Sequence, residues 1–119
     1  MATAQSLSHV WPLGTTLNAA RHIEVGGCDL VELAREFGTP AYVVAEDDLR
    51  ARAREFREAF AAVAADVHLS LATKAFPCTA VLRVLAEEGI GADVASGGEL
   101  QIALRAGVAP SMVTLHGNA

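Results

Sequence analysis

Apolar and polar positions along these 119 residues follow two rhythms, one helical and one of short strands. The clearest helical stripe is Leu49, Ala53, Phe56, Phe60 and Val63, spaced by four, three, four and three residues, which predicts a long helix beginning at Glu46. Glu46, Asp47 and Asp48 fall in its first turn, where the helix dipole favours negative charge. Arg50, Arg52, Arg54, Glu55, Arg57 and Glu58 fill its outer face, and this mixture of signs reads as a salt-bridged, solvated surface. Upstream, a shorter helix is predicted over 29–37, with Asp29 at its start and Gly38 and Pro40 as stop signals. The apolar run 41–45 is rich in strand formers and reads as a strand. Residues 1 to about 27 show no sustained period and read as an extended or irregular arm.

Downstream the pattern becomes regular. Segment 67–73 reads as a strand with Lys74 at its C-terminal end. Pro77 suits the first turn of a helix that faces inward with Val81, Val84 and Leu85 and closes at Gly89. Segment 90–94 is the next strand. Ser96 and Glu99 form a capping-box pattern at the head of a helix carrying Leu100, Ala103 and Leu104 and ending at Gly107. A last strand spans 112–116. The three strands begin at Val67, Ile90 and Met112, 23 and 22 residues apart, with one amphipathic helix in each interval. That is the rhythm of consecutive β/α units in a parallel sheet, shared by doubly wound sheets and (β/α)8 barrels, and the period alone does not choose between them.

Length changes this picture. A closed barrel of eight units needs about 250 residues, and only about three units fit here. The last strand is followed by Gly117, Asn118 and Ala119 with no helix to cover it. The chain is therefore expected to be the N-terminal portion of a longer protein.

Composition narrows the class. With 52% hydrophobic and 19% charged residues the chain reads as globular, and no apolar run approaches the roughly 20 residues of a membrane helix. A basic leader is not apparent at the N-terminus, so a cytoplasmic location is expected. The net charge of -5 and the lack of an unbalanced Lys/Arg cluster point away from nucleic acid. Cys28 and Cys78 form no C-x-x-C pair and read as reduced, buried small residues, with neither a disulfide framework nor a metal site expected. His9, His22 and His68 lack ligand-like spacing.

The chemistry centres on Lys74, the chain's only lysine. A lysine at the mouth of a parallel strand can reach the C-terminal rim, where α/β folds hold ligands. An amine nucleophile also needs an environment that removes its proton, because only about one lysine in 2,500 is neutral at pH 7. From the residues alone, Lys74 is either a solvated strand-end lysine or such a nucleophile.

Four motifs in order carry a family resemblance: Leu71-Ala-Thr-Lys-Ala-Phe76, Ala92-Asp-Val-Ala-Ser-Gly-Gly-Glu-Leu100, Ala106-Gly107 and Leu115-His-Gly-Asn118. They resemble the successive motifs of diaminopimelate decarboxylases, and the likeness extends upstream through Gly38-Thr-Pro-Ala-Tyr-Val-Val44 and weakly to His9-Val-Trp-Pro12. The resemblance implies a fold-type III pyridoxal-phosphate enzyme. It would comprise an alanine-racemase-like (β/α)8 barrel, partial in this chain over 41–119, and a second β-rich domain to which the arm and short helix of 1–40 would contribute.

Lys74 would then carry the cofactor pyridoxal 5'-phosphate covalently, with Asp93 as a supporting cofactor-binding residue or a structural acceptor, and Glu99 as a second rim acid or merely a capping residue. Gly97-Gly98 is read as a close-packing device, not the phosphate cradle, and His116 is not the family's ring-stacking histidine. Leu71 departs from the aromatic residue usual three positions before the lysine. The implied reaction is decarboxylation of meso-2,6-diaminopimelate to L-lysine and carbon dioxide by a homodimer, with this chain alone inactive. Alternatives are a related decarboxylase acting on ornithine, arginine or carboxynorspermidine, a non-catalytic pyridoxal-phosphate carrier on the same barrel, or a remnant that binds nothing.

Overall fold

A computed structural model describes residues 10–117. His9, Asn118 and Ala119, which carry parts of the motifs above, lie outside the described residues. The chain divides into two compact units, one ending at Asp48 and one beginning at Leu49.

The first unit holds an antiparallel three-stranded meander of β1 (Thr16–Leu17), β2 (Ile23–Val25) and β3 (Cys28–Asp29). The irregular arm expected from the sequence is thus partly ordered as sheet, in strands too short for an alternation of period two to register. β2 and β3 pair Val25 with Cys28 across Gly26-Gly27. Both glycines have positive φ, +58° and +78°, as two-residue hairpin turns of the mirror-image types require. Helix α1 (Leu30–Phe37) follows directly. Its cap is Asp29, whose Oδ1 accepts from the amides of Val31 at 2.7 Å and Glu32 at 3.2 Å. Asp29 Oδ2 accepts from Asn18 Nδ2 at 2.6 Å and lies 2.9 Å from His22 Nδ1. Burial opposes the charge on Asp29, but the hydrogen bonds from His22, Asn18 and the two amides prevail and hold its carboxyl at about 2. His22 is therefore structural.

Two expectations fail in this unit. Segment 41–45 forms no strand among the described residues, and Tyr42 is 94% exposed. A strand exists only where a second backbone meets it, and that meeting is not written in the local sequence. Cys28, expected to be buried, is exposed at the head of β3.

Helix α2 (Glu46–Ala61) runs from Glu46 as predicted, but it stops before Val63, and only Ala53 of its stripe is fully buried. Phe56, Phe60 and Val63 are exposed. The second unit is otherwise a parallel sheet in the order β4, β5, β6, made of β4 (Ser70–Ala72), β5 (Gly91–Val94) and β6 (Val113–Leu115), with α3 (Thr79–Glu87) and α4 (Gly97–Ala106) as the connections. The register pairs Leu71 with Ala92 and Ala92 with Val113, and, one residue on, Ala72 with Asp93 and Asp93 with Thr114. Because strand side chains alternate, this alignment sorts the sheet into two unlike faces. Leu71, Ala92, Val94 and Val113 join Leu82 of α3 and Ala103 and Ala106 of α4 in the main core. Ala72, Asp93 and Thr114 share the other face.

The helices depart from the sequence pattern in detail. Leu82, which the apolar positions assigned to α3 did not include, is 1% exposed, whereas Val81 and Val84 are only half-buried. Pro77 precedes the cap residue Cys78 and is outside the first turn. In α4, Ala103 is fully buried, but Leu104 is 41% exposed. Gly107 closes α4 in the left-handed conformation at φ +93°.

Candidate functional site

The face of the sheet that α3 and α4 leave open carries the polar chemistry. At the C-terminal ends of the three strands a small cavity of about 100 Å³ is lined by Ala72, Lys74, Asp93, Ala95, Glu99 and His116. Each residue reaches it from a strand end or the turn that follows. Lys74 lies in the 3-10 turn Thr73–Ala75 immediately after β4. Asp93 is the third residue of β5. His116 follows β6, its amide donating to the Val94 carbonyl at 2.8 Å and extending the parallel register by one step.

Lys74, Asp93 and Glu99, the expected rim residues, line one cavity together with His116, which was given no role there. The apolar residues flanking Lys74 give it little desolvation: Leu71 and Ala72 are half-buried, while Ala75, Phe76 and Lys74 itself are exposed. The fully buried residue beside it is the polar Thr73, at 0% exposure.

The acids differ in their commitments. Glu99 Oε2 accepts from the Ala95 amide at 2.6 Å, while Ser96 Oγ accepts from the Glu99 amide at 3.3 Å. This is a capping box displaced by one residue, since Glu99 reaches the amide before the cap instead of the cap's own. Asp93 Oδ2 lies 3.4 Å from His116 Nδ1. Its other oxygen, Oδ1, is buried and has no hydrogen-bond partner among the described residues, and the same holds for Thr73 Oγ1. Buried polar atoms without partners are uncommon because each forfeits its hydration. Here both belong to residues at the end of the β4–β5 pair. The Asp93–His116 contact was missed from sequence because it depends on the register, which pairs Asp93 with Thr114, two residues before His116.

Other candidates disperse. Cys78 is half-buried at the head of α3, and His68 lies exposed, 3.5 Å from Asp66. The described residues contain no group of three or more His, Cys, Asp or Glu able to hold a metal ion, and no helix among them is long and apolar enough to cross a membrane. Of the arginines of α2, Arg52 pairs with Glu55 on the same helix, as expected, while Arg50 reaches Glu87 and Glu88 and Arg54 reaches Glu88 at the end of α3.

The residues present fit one end of a pyridoxal cofactor. An exposed amine suits an aldehyde, an acid with an unspent buried oxygen suits a cation beside it, and Ala72 and Ala95 leave room. The cavity is far smaller than the roughly 300–1,000 Å³ of a complete small-molecule site. Lys74 is the one lysine or arginine in its lining.

The chain is similar to known decarboxylases. The family "Pyridoxal-dependent decarboxylase, pyridoxal binding domain" matches residues 46–119. The chain is 46% identical over 110 residues to a diaminopimelate decarboxylase of Mycobacterium tuberculosis, covering 92% of this chain and 24% of that protein. It is 40% identical over 101 residues to that of Bacillus subtilis, covering 85% and 23%. The crystal structure of diaminopimelate decarboxylase from M. jannaschii superposes with a TM-score of 0.78 at 34% identity, covering 88% of this chain and 25% of that one. A structure of the same enzyme in complex with L-lysine gives 0.74 at 33% identity, with the same coverage. The chain thus spans about a quarter of the length of the relatives it matches.

Proposed function

This chain belongs to the pyridoxal-dependent decarboxylases through their pyridoxal binding domain, and on that basis we propose that it supplies the lysine-bearing rim of a diaminopimelate decarboxylase. The reaction is release of carbon dioxide from meso-2,6-diaminopimelate to leave L-lysine. The observation that carries this reading is Lys74, the chain's only lysine, at the tip of a parallel strand in a cavity shared with Asp93. The relatives' names support the substrate, as does the L-lysine bound by the M. jannaschii enzyme.

Pyridoxal phosphate, when bound, supplies a conjugated ring that takes up the electron pair left as carbon dioxide departs. Lys74 would hold it through Nζ, and as a free amine could carry a proton at that atom. Asp93 stabilises positive charge on the Lys74 amine. Ala72 and Ala95 present small side chains that leave space on the rim. A (β/α)8 barrel over 41–119 and beyond, with 1–40 contributing to a second β-rich domain, is the architecture we favour, supported by the sequential parallel sheet and the structural likeness. A cytoplasmic homodimer is the assembly that the family resemblance suggests.

The test uses the full-length protein expressed from its own reading frame. Incubation with pyridoxal phosphate followed by borohydride is expected to leave a pyridoxyl group on Lys74, located by peptide mass spectrometry. Lys74→Ala should abolish the label and lower decarboxylation by at least about a hundredfold, the low end of what a proton-transferring side chain contributes. Carbon dioxide release from meso-diaminopimelate but not ornithine fixes the substrate. A label that falls elsewhere refutes the assignment.

A further inference from the structure

We propose that His116 is a positioning residue for Lys74, acting by holding the Asp93 carboxylate that shares the rim cavity with the amine. The inference rests on the reading of Lys74 given above and adds to it a residue with no role there.

Backbone register places the imidazole. Asp93 pairs with Thr114 on β6, and the His116 amide continues the ladder to Val94. His116 therefore falls on the same side of the sheet as Thr114 and Asp93. Its Nδ1 sits 3.4 Å from Asp93 Oδ2 although the side chain is 81% exposed.

The titratable groups facing the cavity are Lys74, Asp93, Glu99 and His116. Glu99 has an oxygen committed to the Ala95 amide. Asp93 has the unspent one, Oδ1, which is buried. A carboxylate turns easily about its terminal bond, whose torsional preference is broad. Anchoring one oxygen fixes the other. With its proton on Nδ1, His116 donates to Oδ2, and on this proposal that leaves Oδ1, which accepts no bond among the described residues, to serve the Lys74 amine on the same cavity. Such a charge-assisted bond is about twice as strong as a neutral one.

The readout is the reactivity of the Lys74 amine in the cofactor-free, full-length protein. Its rate of reductive methylation by formaldehyde and a cyanoborohydride is followed by peptide mass spectrometry at fixed pH. Asp93→Asn is expected to accelerate methylation by about tenfold, the factor that a hydrogen bond to a charged group is worth. His116→Ala should accelerate it in the same direction, and His116→Asn, which keeps a donor, should return it towards the original rate. The double variant Asp93→Asn, His116→Ala should be no faster than Asp93→Asn alone, because the histidine acts through the acid. An unchanged rate in His116→Ala, or additive effects in the double variant, overturns the proposal. Circular dichroism identifies any variant that misfolds, and His116→Gln then provides a second donor-keeping substitution. Failure here with borohydride labelling of Lys74 intact removes only His116, whereas loss of that labelling removes the cofactor reading itself.

Discussion

Glu88 accepts two hydrogen bonds from one guanidinium, Arg54 Nε and Nη2, each at 2.7 Å, and a third at 3.0 Å from Arg50. The pairing joins α2 to the C-terminal end of α3 across more than 30 residues of sequence. Arg57 adds a bond from Nη1 to the Glu88 carbonyl at 2.7 Å, satisfying one of the helix-end acceptors that no intrahelical amide can reach.

Acid sensitivity follows. Hydrogen bonds from Arg54 and Arg50 hold the Glu88 carboxyl at about 2, against an ordinary value near 4.5, and they outweigh the opposing effect of burial. A depressed folded-state value means that the unfolded chain takes up the proton first, so the stabilisation is complete above about pH 4.5 and is lost as pH falls from there to about 2. Urea midpoints of the protein and of Glu88→Gln should differ by a constant amount at neutral pH and converge through that acid window. A gap that persists at the acid end would show that the charge is not responsible.

Core packing gives a second expectation. Leu82 is 1% exposed among Ala92, Val94, Ala103 and Ala106. Leu82→Ala should destabilise by about 2–5 kcal/mol, the range for a buried leucine that leaves a cavity. Leu104→Ala, at a position 41% exposed, should cost clearly less. Equilibrium denaturation compares them directly, and equal costs would contradict the burial pattern.

A third expectation concerns close approach of backbone. A Cβ on Gly91 would stand 2.3 Å from the Met112 carbonyl oxygen and 3.0 Å from Ser70 Oγ. Gly91→Ala must therefore move β6 away from β5, at about 1–3 kcal/mol for the overpacking. Gly97 and Gly98 are not the close-packing device expected from sequence: a Cβ on Gly97 meets nothing within 4 Å and one on Gly98 only Ser96 Oγ at 3.9 Å, so Gly97→Ala should be neutral or stabilising by up to about 1 kcal/mol through helix propensity. Thermal unfolding of the two variants should move in these unlike directions.

What was legible in the sequence was local. The Asp29 cap of α1, the Ser96 cap of α4 and the Gly107 stop each depend on residues within one turn, and each appears in the structure. The parallel pairing of the last three strands was readable from their spacing. Long-range partners were not: the arginines of α2 were matched to acids beside them, while Arg50 and Arg54 reach Glu87 and Glu88. Segment 41–45 shows the same limit, since its composition favours a strand but cannot name what would pair with it. Helix phase was the subtler error. Val84 and Leu104 lie within one residue of positions that are truly enclosed, and a shift of 100° per residue separates a core side chain from a wetted one.

β5 shows what the two-faced sheet implies for change over time. Ala92 and Val94 hold the scaffold together, and Asp93 between them serves the open rim. Substitutions at Ala92 and Val94 act on the packed core, whereas one at Asp93 acts on the open rim. Scaffold and rim can therefore drift separately at adjacent positions of one strand.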